Sequence, residues 1–225
     1  EATHFKEPVW KLSRALRRQI NPWLGYYHET EHSFDAAALT QSNAVMLSGF
    51  WQSERYFANH GHQLRTDLVL KKPLPSAVVK LAAQMASSPS VAMHVRRGDY
   101  LSDPKALVKH GVTSAGYYQT ALQLMIEKLG DVDLYVFSDD PDWVRTNIQH
   151  PNIIFVSDFG FSAEQDLWLI SACQHQIIAN SSFSWWGAYL NDYASKIIVA
   201  PQPWFDAIDL QDSDIYPVKW IKIKK

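Results

Sequence analysis

The chain is 225 residues long, 47% hydrophobic and carries a formal net charge of −2, enough to bury a sizeable core in one large domain or two small ones. The near-neutral balance argues against nucleic acid as a partner, because such proteins carry a basic face or stripe. The single cysteine, Cys173, excludes an intramolecular disulfide, fits a reducing compartment and reads as a small buried residue on a helix.

Residues 1–40 are irregular in texture, punctuated by Pro8, Pro22 and Gly25, with a short helix expected over 11–19. The opening lacks the apolar run of a signal peptide, and no stretch approaches the roughly 20 apolar residues of a membrane span. A cytoplasmic protein is expected, with membrane association at most peripheral, at the inner membrane. It does not begin with methionine, which points to a processed or truncated chain. His28-Glu29-Thr30-Glu31-His32 matches the H-E-x-x-H pattern of zinc proteases. That pattern needs a helix to put both rings on one face, and a third ligand, for which Glu54 is the candidate. The segment follows Asn21-Pro22 and Gly25 and has no apolar face, so an exposed acidic loop is the better reading. Zinc metalloprotease is kept as an alternative.

A strand is expected over 43–50 and a helix start over 51–57. Lys71-Lys72-Pro73-Leu74-Pro75 is the strongest boundary signal, and Ser76 reads as the cap of a helix whose apolar face is Val78, Val79, Leu81, Ala82 and Met85. The rhythm then becomes regular. Strands are expected over 91–95, 133–138, 152–157, 176–179 and 196–200. Helices are expected over 114–129, 141–148, 164–173 and 185–193, with a polar loop over 102–112. Asp140 and Pro141 read as N-cap and first helical residue. Strand–helix alternation with short links predicts an α/β fold with a doubly wound, Rossmann-like parallel sheet. No G-x-G-x-x-G and no Walker loop occurs, so neither a dinucleotide oxidoreductase nor an NTPase is suggested.

In such a sheet ligands bind beyond the carboxyl ends of the strands. Three polar clusters fall there: His94/Arg96/Arg97/Asp99, then Ser138/Asp139/Asp140, then Ser181/Ser182/Ser184. An arginine fork matches phosphate oxygens in pairs, and a helix start favours an anion. Together they predict a diphosphate site. Asp139 is expected to accept hydrogen bonds from a ribose or a guanine edge. Each cluster taken alone also reads as an ion pair or a helix cap.

The residues HVRRGDY (94–100), the Ser-Asp-Asp-Pro strand end (138–141) and above all Asn180-Ser181-Ser182-Phe183-Ser184-Trp185-Trp186-Gly187-Ala188-Tyr189-Leu190 resemble the α-1,2-fucosyltransferases, glycosyltransferase family 11, in their bacterial style. Smaller matches are Gly49 to Phe57 and Tyr117-Tyr118. The resemblance implies a GT-B-like architecture. Residues 1–75 would form an incomplete or smaller acceptor-side portion, and 76–225 a Rossmann-like GDP-sugar-binding domain. It implies GDP-β-L-fucose as donor, the 2-hydroxyl of a galactose-terminated acceptor, and inversion at the anomeric carbon with no cofactor or metal ion. By the same analogy Arg96 holds the β-phosphate beside Arg97, His94 and Asp139 meet the guanine, and Ser182, Phe183 and Ser184 meet the diphosphate. The family's opening strand and glycine-rich turn are missing from this sequence.

An inverting transfer needs charge stabilisation on the departing GDP and a carboxylate for the acceptor's proton. Asp99, beside the arginine pair, is the candidate base, and orienting Arg97 by an ion pair is its other possible role. Asp139-Asp140 also invites a metal-binding reading, which two arginines make unnecessary. The rival from another class is a non-catalytic nucleotide-sugar or glycan-binding protein.

Overall fold

The computed structural model describes residues 25–29, 33–41 and 45–225, so the helix expected over 11–19 lies outside the described residues. Two short parallel strands come first, β1 (Gly25–His28) and β2 (Val45–Ser48), in register from Gly25↔Val45 to His28↔Ser48. His28 thus ends a strand rather than riding on a helix, and the geometry H-E-x-x-H needs is not there. His32 itself lies outside the described residues. The helix start expected at 51–57 resolves into two 3-10 turns, Glu54–Tyr56 and Ala58–His60, followed by α1 (Gly61–Asp67).

The helix α2 (Ser76–Ser87) buries Val78, Leu81 and Met85, one stripe at helical spacing. Its cap position is Pro75 rather than Ser76: Pro75 supplies the extended turn, and no side chain caps the helix. Six strands follow: β3 (Ser90–Val95), β4 (Asp133–Ser138), β5 (Ile153–Phe155), β6 (His175–Ile177), β7 (Ile198–Gln202) and β8 (Ile221–Lys224). They form one parallel sheet in the order β5-β4-β3-β6-β7-β8. Counted from β3 this is the order 3-2-1-4-5-6 of doubly wound dinucleotide-binding folds. The sixth strand was not expected. Its Ile-Lys-Ile-Lys alternation is half buried, half exposed, and it is recruited as a lysine-bearing edge by pairing with β7.

The connecting helices are α3 (Gly98–Ser102), α4 (Pro104–His110), α5 (Ala115–Leu129), α6 (Pro141–Asn147), α7 (Ala163–Ala172) and α8 (Ser182–Leu190). The polar loop expected over 102–112 is largely α4, nucleated by Asp103, which accepts from Lys105 N, and by Pro104 at the first helical position. Asp140 caps α6 as expected, accepting from Trp143 N at 3.2 Å. Ser114 caps α5, and a Ser162/Gln165 capping box opens α7.

The alternation along β3 divides the core. Val91, Met93 and Val95 pack with Tyr117, Ala121 and Met125 of α5, while Ala92 on the other face packs with α2 and α7. The segment before α2 is docked by stacking of Phe57 on Trp186 (5.4 Å) and by an Arg55–Asp214 ion pair at 3.3 Å. Among the described residues no helix is long and apolar enough to cross a membrane.

Candidate functional site

The carboxyl ends of β3 and β6 are neighbours at the point where the strand order reverses, the crevice that open α/β sheets use for ligands. A cleft of about 490 Å³ opens there. The structure brings eight of the expected residues into its wall: His94, Arg96, Asp99, Ser138, Asp139, Ser181, Ser182 and Phe183.

His94 follows Ala92 on the α7 face of β3 and is 6% exposed, its ring 5.4 Å from that of Phe183. Its Nδ1 is buried without a partner. Burial, reinforced by the Arg96 charge, lowers its pKa from 6.5 to about 3, so the imidazole is neutral. Arg96 is gripped from two sides: Nη2 lies 2.8 Å from Asp99 Oδ2 and Nη1 lies 3.2 Å from Asp139 Oδ2. The ion pair expected between Asp99 and Arg97 is therefore made with Arg96 instead, one helical turn away.

Asp139 is also a staple. Its two oxygens accept from Arg97 N at 2.9 Å and Gly98 N at 3.1 Å, which fixes the turn leaving β3. A Cβ on Gly98 would stand 3.0 Å from Asp139 Oδ2, so glycine suits this close approach. Arg97 points away from the cleft. It pairs with Asp140 at 3.2 Å and lies 4.1 Å over the Trp143 ring, which pins α6 to the end of β3. Ser184 is likewise turned inward, donating to Ala179 O at 3.3 Å and Ser181 O at 3.2 Å. Ser181 occupies the N-cap of α8 without a side-chain cap hydrogen bond. The capping role that was the ordinary alternative for these serines is therefore not made, and the first turn of α8 meets the cleft through Ser181, Ser182 and Phe183.

The profile described as "Glycosyl transferase family 11" matches residues 11–224. The chain belongs to glycosyltransferase family 11. Among its relatives, "Alpha-1,2-colitosyltransferase" of Escherichia coli is 38% identical over 192 residues, 83% of this chain and 65% of that protein. "O-antigen biosynthesis glycosyltransferase WbnK" of Escherichia coli is 37% identical over 175 residues, 76% of this chain and 53% of that one. "Galactoside 2-alpha-L-fucosyltransferase SEC1" of Bos taurus is 29% identical over 198 residues, 83% and 52%. The chain thus spans between about half and two thirds of the length of these relatives. A crystal structure of POFUT1 in complex with GDP is similar at a TM-score of 0.44 and 12% identity, over 69% of this chain and 54% of that one.

In this family 11 chain the cleft also contains residues that sequence reasoning missed. Tyr100 closes one side, its hydroxyl donating to Asn180 O at 3.1 Å and its ring stacked 5.0 Å from His110. Asp166, on the first turns of α7, is the more telling omission. Its Oδ1 is buried without a partner, and burial raises its pKa from 3.8 to about 6. In sequence Asp166 shares the first turn after the Ser162 cap with Glu164, where acids complement the helix dipole. That ordinary explanation hid it.

Glu29 of the H-E-x-x-H match holds the chain at residues 50 and 51. Glu29 Oε2 accepts from Phe50 N at 2.7 Å and Trp51 N at 3.2 Å. Among the described residues no three His, Cys, Asp or Glu side chains gather in a metal-binding group.

Proposed function

We propose that this family 11 chain carries the donor half of an inverting transferase, moving L-fucose from GDP-β-L-fucose to the 2-hydroxyl of a galactoside in glycan or O-antigen synthesis. The observation that carries the reading is Arg96 facing the first turn of α8 across the cleft at the reversal of strand order. An arginine fork and a helix start are the two devices that hold a diphosphate without protons to manage.

In this reading the leaving oxygens take the Arg96 guanidinium and the amides of α8, which stabilise charge as it develops. Asp166, with an acceptor to spare, takes N–H donors of the guanine edge, and neutral His94 lines the same wall. The acceptor hydroxyl forms its bond to the anomeric carbon as the bond to the β-phosphate oxygen breaks. Its proton passes to a carboxylate, for which Asp99 is the cleft-lining candidate. Arg96 and Asp99 are coupled: a phosphate oxygen that takes Nη2 displaces Asp99 and leaves its carboxylate available. Transfer of a colitosyl residue is the second reading, supported by the relative named Alpha-1,2-colitosyltransferase.

The test is incubation with GDP-fucose and a β-galactoside, with product linkage read by NMR, for the native chain and Asp99→Asn. The variant should bind GDP more tightly, having lost the competitor for Arg96, and turn over about 10²–10⁴-fold more slowly. Near-normal turnover in Asp99→Asn would remove Asp99 from the chemistry.

A further inference from the structure

Beside the donor cleft lies a second cavity, of about 220 Å³, with a different chemistry. Phe50, Trp51, Phe57, Trp185, Trp186 and Trp204 form most of its wall, Gln52 and Ser53 add neutral polar groups, and no charged residue lines it. Ser182 is the one residue the two cavities share. The donor cleft is lined by residues from 94 to 183, whereas this cavity takes four aromatic or polar neighbours in a row, 50–53, from the segment that precedes α2.

The wall is set by a held backbone. Trp51 has φ 54°, a left-handed conformation that a bulky residue adopts only when its surroundings impose it. Glu29 imposes it by accepting the amides of both Phe50 and Trp51 on one carboxylate oxygen. Gly49 makes this approach possible: a Cβ there would lie within 2.4 Å of Glu29 Cβ. The Trp51 ring is braced by Tyr56 at 5.2 Å in an edge-on contact, and Trp186 by stacking on Phe57 at 5.4 Å. A strained residue clamped in place and presenting an indole to a cavity is a feature of binding sites rather than of cores.

We propose that this aromatic cavity is the acceptor subsite and takes one neutral hexopyranose ring, and that Glu29 is the positioning residue that sets Trp51 against it. The proposal rests on the transferase reading above. A wall with no charge has nothing for a phosphate, while indoles pack the C–H face of a sugar and leave its hydroxyls to polar neighbours. The volume is below the ~300–1,000 Å³ of sites that enclose whole drug-sized ligands, so one ring fits and the remainder of a glycan lies outside. Inversion requires the nucleophile to arrive opposite the leaving group. The two cavities share Ser182, so a sugar ring held in this one is a neighbour of the donor cleft.

The experiment titrates lactose, GDP and GDP-fucose separately into the full chain and into Trp51→Ala, and measures steady-state rates for both and for Glu29→Gln. Trp51→Ala should weaken lactose binding about tenfold or more and leave the dissociation constants of GDP and GDP-fucose within about twofold. Glu29→Gln should raise the lactose KM with kcat nearly unchanged, a split that general unfolding would not give. Saturation-transfer NMR on the native chain is independent of any variant's folding, and irradiation of aromatic protons should label the galactose ring most strongly. The proposal is overturned if that ring is unlabelled, or if lactose affinity is indifferent to Trp51. It is also overturned if GDP-fucose weakens while GDP does not, which would put the donor's sugar in the cavity. Failure of the native chain to bind GDP or GDP-fucose would strike the transferase reading instead, and the lactose arm, run without nucleotide, reports separately.

Discussion

In the cleft, Asp99 and Asp139 hold the Arg96 guanidinium, whereas Asp166 Oδ1 is buried with no donor to accept from. Arg96 was visible in the sequence because its cluster is one of three polar clusters at the carboxyl ends of the strands, although alone it reads equally as half of an ion pair. The structure adds that two carboxylates hold it in place. Asp166 was hidden by a good structural excuse, and it emerges only because one of its carboxylate oxygens, Oδ1, is buried without a partner. Its pKa of about 6 gives a prediction with a definite sign. N–H donors of a guanine favour the ionised carboxylate, so GDP-fucose should bind best above about pH 6. Affinity should weaken below that by up to about tenfold per pH unit. The donor's diphosphate diester does not titrate in this window, so the change belongs to the protein. Calorimetric titrations between pH 5 and 8, roughly, should show this slope in the native chain and a flat, weaker profile in Asp166→Asn. A native profile without slope would take Asp166 off the base.

The elements that build the site were legible where one rule acted alone. The strand expected over 91–95 is β3 (Ser90–Val95), fully buried, and its apolar run announced it. Asp140-Pro141 announced the start of α6 by cap and proline chemistry. Reading failed where tertiary pairing decides. β8 is a strand because β7 offers it an edge, and Arg97 and Ser184 share motifs with cleft residues yet face inward, because adjacent residues on a strand end or helix point in different directions. The seating of α8 is itself set by one glycine. A Cβ at Gly187 would stand 2.5 Å from Ile170 Cγ2 and 3.0 Å from Ile170 Cβ on α7. Gly187→Ala should therefore destabilise the protein by about 1–3 kcal/mol through overpacking, partly offset by the helix preference for alanine, about 1 kcal/mol. Urea unfolding with an unchanged m-value would register it. A stabilised variant would mean that α7 and α8 can separate at little cost.

Across the whole molecule the sheet order matters more than any motif. Strand alternation in the sequence predicts a parallel sheet, but not which two strand ends become neighbours. The order β5-β4-β3-β6-β7-β8 makes β3 and β6 adjacent, and so brings Arg96 into one cleft with the first turn of α8, although 86 positions separate Arg96 from Ser182 in sequence. The segment before α2 then adds an aromatic wall on the far side of Ser182. A charged cleft and a neutral aromatic cavity thus share one residue, Ser182, an arrangement that suits the proposed charged leaving group on one side and neutral sugar on the other.

Calorimetric titration of GDP-fucose into the native chain and into Arg96→Ala asks whether this junction is a GDP-sugar site anchored by Arg96. The native chain should bind, and the variant should bind about 10–100-fold more weakly, the worth of a charge-assisted hydrogen-bond pair to phosphate, with its thermal unfolding intact. Equal affinity in the two proteins would contradict the account.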